Sequence, residues 1–431
     1  MKIKLKETGL LSAALFLMIM LAVPVLGAQE ETLNETKCID TTNMVSLDKA
    51  EEVASYSIKE ISGSIPNLSE WENATVKLST IYYDLDGNRT AYSFNVMGNK
   101  QRAGYIFISA TKDNYPVLEF SKGKIPNEIP EFTTRSKSLA QERANKIKSE
   151  SADKEELTVG EMKPLYLGPT FYYAEYTLTD TKGKAKEKVI VDLPFSTVVD
   201  FNKSNVSVLV DEKDYFNSTS LQQQQEIRKQ DANAKWTALE NEMAMETIPT
   251  GYSSTSSIGY IYDVPNYYWR NGCSPTAAGM VLGYWDSHGY SNFPGETTLI
   301  DELANAMGTS YKWPFGDGAT WPWNIGPGIK TVCNNHGYSN FNASYVWYSI
   351  PWNEIKNEVN ANRPFVICML YGGLGSGYQP GQEYGNHCVT CIGYSEGSQN
   401  YVFLHDTWDT KNHHYITFGS WWEATAIWVR P

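Results

Sequence analysis

Apolar residues recur at helical spacing in residues 45–60 (VSLDKAEEVASYSIKE), and Ser46 stands where an N-cap belongs, so a helix is predicted to begin there. Beyond it the period shortens. Runs at 78–84, 90–97, 104–110, 116–120, 163–168, 171–179 and 188–199 read as strands, with Asp86-Gly87 as a hairpin turn between the first two. A charged helix over about 135–149 interrupts them, so that helix-then-strands occurs twice, as a weak repeat. Residues 220–246, rich in Gln, Glu, Lys and Ala, read as a further helix. The small, polar stretch 247–257 (TIPTGYSSTSS) reads as a flexible linker and a domain boundary. After it, an apolar helix from Cys273 to about Trp285 and strands at RPFVICML (363–370), 388–394 and 400–405 are expected. The pattern implies an α+β chain whose last 174 residues suffice for one buried core.

The chain opens on a different pattern. Lys2, Lys4 and Lys6 precede an apolar run from Leu10 to Leu26 broken by Pro24, and the small residues Gly27 and Ala28 follow. Residues 1–28 therefore read as a secretory signal peptide, with an uncleaved anchor helix as the alternative. No later segment is apolar enough to span a bilayer. Eight Asn-x-Ser/Thr sequons agree with export (Asn34, Asn67, Asn73, Asn88, Asn202, Asn205, Asn217 and Asn342), and all but the last lie in the first half. A secreted or cell-surface location is expected.

Composition sharpens the division. With 431 residues, 42% hydrophobic and 20% charged, neither a disordered chain nor a polytopic membrane protein fits. A net charge of −13 argues against a nucleic-acid partner, which wants a basic face. Yet 11 of 13 Trp, all six His and five of six Cys follow residue 257, against only 7 of 36 Lys and Arg. The chemistry is expected in the second half.

There, Pro275 two residues after Cys273 suits the first turn of a helix and places Cys273 at a helix N-terminus. The dipole at that end favours a thiolate and lowers a cysteine's pKa, as a nucleophile needs; a buried structural cysteine is the alternative. At the far end, if the strands around Glu396-Gly397 close symmetrically, His387 falls opposite Asp406, a base facing an orienting carboxylate. The alternative is a buried histidine with its own partner and a strand-end aspartate.

Together, GCSPTAAGMVLGYW, RPFVICML, GNHCVTCIGY and VFLHDTW resemble the peptidases that clip bacteriocin leaders after double glycine, and their broader secreted relatives, over about residues 258–431. The resemblance implies a papain-like fold, with a Cys-bearing helix packed on an antiparallel sheet. It implies Cys273 as nucleophile, His387 as general base and acid, and Asp406 as the residue orienting the imidazole, with no cofactor and no metal. Tyr267 stands where the family places a glutamine oxyanion donor, and Ser274 where it has glycine after the cysteine. The donor is then the Tyr267 hydroxyl, Asn266, Asn271 or the Cys273 N–H. More loosely, residues 91–126 (AYSFNVMGNKQRAGYIFISATKDNYPVLEFSKGKIP) resemble the pro-regions of streptopain-type secreted cysteine peptidases. This implies an inhibitory or folding-assisting region over about 29–235, in intramolecular contact with the peptidase, before a helix end and linker at 236–257. A permanent surface-binding domain is the competing reading.

The expected function is peptide-bond hydrolysis by an exported cysteine peptidase made as a latent precursor, acting on a protein or peptide substrate. The alternatives are a catalytically inactive binding module of the same fold, or a Cys-dependent amide hydrolase or acyltransferase acting on a non-protein substrate. Cys388-Val-Thr-Cys391 has a metal-ligand form, but residues i and i+3 of a strand point to opposite faces. His405, His413 and His414 with Asp409 fit no helical zinc spacing and read as surface or loop histidines. Cys333–Cys368 is one disulfide the sequence allows without establishing it. Trp313, Trp321, Trp323, Trp347 and Trp352, set among Gly and Pro, are candidates for a substrate cleft or for packing.

Overall fold

Ser46 caps the first helix, α1 (Leu47–Ser64), its hydroxyl accepting the Lys49 N–H at 3.2 Å. The computed structural model describes residues 43–151, 155–199, 218–245, 257–309, 318–347, 349–370, 386–421 and 423–431, all within one compact unit. The signal peptide predicted at 1–28 and nearly all of the linker predicted at 247–257 lie outside the described residues, as does Trp313.

Strands β1 (Thr75–Tyr83) and β2 (Arg89–Gly98) form the expected hairpin. Gly87 takes a φ of 89°, and the Asp84 carboxylate accepts the Asn88 N–H at 2.8 Å. There follow β3 (Gln101–Ser109), β4 (Val117–Ser121), helix α2 (Pro130–Glu150), β5 (Thr158–Gly168), β6 (Phe171–Thr179), β7 (Ala185–Asp192), β8 (Thr197–Val199) and helix α3 (Ser218–Met245). The second half runs β9 (Ser257–Tyr260), α4 (Cys273–Ser287), α5 (Glu296–Ala306), α6 (Pro322–Asn335), β10 (Asn342–Val346), α7 (Trp352–Asn360), β11 (Phe365–Leu370), β12 (Asn386–Glu396), β13 (Tyr401–His405), β14 (His414–Thr417) and β15 (Glu423–Arg430). The architecture is mixed α+β, as expected.

The two halves share one sheet, ordered β10-β15-β11-β12-β13-β14-β4-β3-β2-β1-β5-β6-β7-β8. The join is the antiparallel pair β14–β4, where Tyr415 meets Phe120 in register and stacks on it at 5.0 Å. Both rings are buried, so the joint is apolar as well as hydrogen-bonded. One core includes Trp71 and Phe120 of the first half with Tyr401, Tyr415 and Trp421 of the second. A second core is built around α4, α5 and α6 and includes Cys273. A third, formed by Tyr82, Phe107, Tyr166 and Tyr172, takes in Trp408 from the second half.

The hairpin carrying the candidate histidine differs from its predicted register. Thr390 pairs with His405 and Ser395 with Tyr401, so residues 397–400 form the turn, and a bulge falls between Cys391 and Gly393. The bulge is where β9 also joins, Gly393 pairing with Tyr260. A Cβ on Gly393 would lie 2.6 Å from the Phe403 ring and 2.7 Å from the Gly259 carbonyl, so only glycine fits. The symmetric pairing of His387 with Asp406 therefore does not form, and the strand partner of His387 is Met369 on β11. On the same two strands Cys368 is bonded to Cys388, while Cys333 keeps a thiol, which corrects the pairing allowed from sequence.

Candidate active site

Cys273 is the first residue of α4, as its neighbours implied. The turn ahead of it is closely fixed. Gly272 has a φ of 135°, and a Cβ there would meet the Gly318 carbonyl at 2.3 Å. The Thr276 hydroxyl bonds back to the Gly272 carbonyl at 2.7 Å, and Arg270 forms a two-bond pair with Asp301 at 2.7 and 2.8 Å. Behind the cysteine, α4 is buried along most of its length against β11 and β12. That packing explains why its sequence is apolar and small rather than amphipathic.

The backbone of Cys388, the residue next to His387, and Ser274 favour the Cys273 thiolate, and the Ser274 hydroxyl donates to the Cys388 sulfur at 3.1 Å. Burial nevertheless pushes the thiol up, and the nearby Asp192 carboxyl adds to the effect. The lowering expected from the helix dipole is thus outweighed by desolvation. Cys333 and Cys391 are pushed up to about 12 by burial, so neither competes as a nucleophile.

His387 is 1% exposed. Its Nε2 lies 3.1 Å from the main-chain oxygen of Asp406, while its Nδ1 is buried with no hydrogen-bond partner among the described residues. With Nε2 the protonated nitrogen, Nδ1 is the one left to accept a proton. Burial pushes the imidazole down to about 3, so it is neutral at pH 7. Two aromatic rings flank it, Trp408 at 5.0 Å and, from the segment after β7, Phe195 at 5.1 Å. Phe195 also lies against Trp269 at 6.1 Å, and its N–H is accepted by the Asp192 carboxylate at 3.1 Å. Burial pushes Asp192 up to about 7.

Asp406 reaches His387 only through its main chain. Its Oδ1 accepts the N–H groups of Trp408 and Asp409 at 3.1 and 2.9 Å, and its Oδ2 lies 3.2 Å from Nδ1 of His414. The other nitrogen of His414 is 2.9 Å from Glu119 on β4. Burial alone would lower His414, but Asp406 and Glu119 outweigh it and bring it up to about 9. Glu119 also accepts the Thr170 N–H at 3.0 Å and the Tyr172 hydroxyl. His414 and His405 are 1% and 3% exposed, which corrects their reading as surface or loop histidines. Periodicity gives no signal for His414, because β14 (His-Tyr-Ile-Thr) does not alternate and is buried at every position, and its partner Glu119 is remote in sequence.

The oxyanion donors expected from side chains are elsewhere. Tyr267 packs over Gly283, its hydroxyl 2.5 Å from where a Cβ would be; ten residues of helix place that point about 15 Å from Cys273. Asn271 bonds Asp301 at 2.5 Å and Asn266 the Asp409 carbonyl at 3.0 Å. The N–H groups of Cys273 and Ser274 remain, since Pro275 has none and the Gly272 carbonyl accepts that of Thr276 at 3.3 Å. Trp321 and Trp323 stack on each other at 4.7 Å, and Trp347 stacks on Tyr345 at 4.7 Å. Cys388 and Cys391 belong to different cores on opposite faces of β12, and no group of three or more metal-binding side chains occurs among the described residues.

Residues 261–429 match the Peptidase_C39 like family. Over those residues the chain is similar to C39-type peptidases, the class that the helix-borne cysteine and the histidine strand suggest. A solved structure of prointerpain A from Prevotella intermedia, a cysteine-to-alanine fragment spanning 39–359, aligns with 83% of this chain and 100% of its own at 10% identity and a TM-score of 0.37. No curated protein matches the chain.

Proposed function

We propose that this chain is an exported cysteine peptidase held latent by its own N-terminal half, with Cys273 as nucleophile, His387 as base and Asp406 as the residue orienting the imidazole. The observation that carries the reading is the placement of Cys273. It begins a buried helix whose Ser274 hydroxyl donates to Cys388, the residue next to His387, and the Nδ1 of that histidine is unpartnered among the described residues. Membership of residues 261–429 in a peptidase family points to a peptide substrate.

Catalysis follows the order the residues allow. His387 Nδ1 takes the thiol proton, the thiolate attacks the peptide carbonyl, and the oxyanion develops beside the first turn of α4. His387 then protonates the leaving amine, and water hydrolyses the acyl-enzyme. Latency is supported by the segment Asp192–Phe195, which puts a ring on His387 and a carboxyl near Cys273. With the thiol pushed up and the imidazole pushed down, both groups are uncharged, the resting condition of a covered site.

The test is alkylation of Cys273. In the intact chain labelling is expected to be slow; F195A uncovers His387 and speeds it, and H387A reverses the gain. Digestion of a peptide library by F195A separates a peptidase from an amidase of non-protein substrates: absence of cleavage with a reactive Cys273 would favour the latter.

A further inference from the structure

One imidazole joins the N-terminal half to the candidate site. Glu119 on β4, His414 on β14 and Asp406 are 0%, 1% and 2% exposed. His414 bridges the two carboxylates, at 2.9 Å to Glu119 and 3.2 Å to Asp406. The remaining oxygens are occupied as well. Glu119 takes the Tyr172 hydroxyl and the Thr170 N–H, and Asp406 takes the N–H groups of Trp408 and Asp409. His387 is left with the main-chain oxygen of Asp406. Tyr105 packs edge-on to His414 at 6.3 Å, and Asp409 caps its own turn through Lys411 and Asn412.

We infer that the Glu119–His414 pair is a latch: while the N-terminal half is docked, it holds the Asp406 carboxylate off His387, and undocking releases that carboxylate to the imidazole. The inference rests on the peptidase reading for its consequence, though not for its geometry. A buried imidazolium between two carboxylates depends on both, because their charges outweigh the cost of its burial. Undocking removes Glu119, Tyr172 and the strand that covers β14. His414 then faces water, which solvates its charge and weakens its pair with Asp406, and the freed carboxylate can accept from Nε2–H of His387. His414 is thus a positioning residue that acts through Asp406. Phe195 covers the histidine independently, so latency has two arms.

Two measurements decide the matter. With histidine labelled by nitrogen-15 in the full chain, His414 is expected to carry both protons at pH 7.5 and to titrate at a lower pH in E119Q. A neutral His414 in the wild type, or an unchanged titration in E119Q, overturns the latch whatever the enzyme does. E119D, which keeps the charge, should restore the wild-type titration, and thermal melts check that each variant folds. In the F195A background, adding E119Q is expected to raise iodoacetamide labelling of Cys273 by about tenfold, and H387A to cancel that gain. Equal rates with and without E119Q overturn the latch, as does a gain that survives H387A, since that is mere loosening. If F195A itself labels no faster than free cysteine, the peptidase reading fails, and the nitrogen-15 titration still decides the latch.

Discussion

His414 holds the carboxylate of Asp406 at 3.2 Å, and His387 is left with the same residue's main-chain oxygen at 3.1 Å. The residue expected to orient the base therefore reaches it through the wrong atoms in this state. Removing the imidazole by H414A leaves Glu119 and Asp406 buried without their shared cation, at a cost of about 3–5 kcal/mol. The stabilisation has a defined pH window. Because folding raises His414 from 6.5 to about 9, its contribution is full below pH 6.5 and is lost as pH rises through 9. Urea unfolding at pH 6.5 and 9.5 should show the gap between wild type and H414A shrinking at the higher pH.

Gly272 sets the position of Cys273. An alanine there combines a φ of 135° with a Cβ 2.3 Å from the Gly318 carbonyl. G272A is expected to cost about 1–3 kcal/mol and to displace the first turn of α4. The check is a thermal melt together with Cys273 labelling in the F195A background, where the reactive thiol should be lost even in the fraction that folds.

Asp192 carries the pH sensitivity of the covering segment. Folding raises it from 3.8 to about 7, so its neutral form is favoured and its support for the fold declines as pH rises through 7. D192N should match wild type at pH 4 and melt a few degrees higher at pH 8. Equal melting temperatures at both pH values would show that this carboxyl is not desolvated by docking.

The shared sheet and core imply that a cut between the halves does not separate them. Nicking within 247–256 removes none of the β14–β4 pairing, the Phe120–Tyr415 stack or the Ser121 hydroxyl bond to the His413 carbonyl at 2.8 Å. The nicked halves are expected to co-elute on gel filtration and to label as slowly as the intact chain. Separation of the halves in buffer without denaturant would contradict this.

Much of the architecture was legible because it is local. Ser46 before an amphipathic run, Asp86-Gly87 between alternating runs and Pro275 after Cys273 each act within a few residues, and each marks the element it predicted. The His387 hairpin differs from its predicted register because its turn spans 397–400 and Gly393 admits β9, a contact more than a hundred residues away. The Cys273 thiol went up rather than down because burial depends on the whole assembled core, which a dipole argument on one helix leaves out. From sequence alone His414 reads as a surface or loop residue because Glu119, its partner, belongs to the other half of the chain.

The most direct measurement is the second-order rate at which iodoacetamide alkylates Cys273 at pH 7 in the intact chain, in F195A and in F195A/H387A. The expected result is a slow intact chain, an F195A rate at least about tenfold higher and above that of free cysteine, and loss of that gain without His387. An F195A rate no higher than that of free cysteine would contradict the assignment of Cys273 and His387 as a covered catalytic pair.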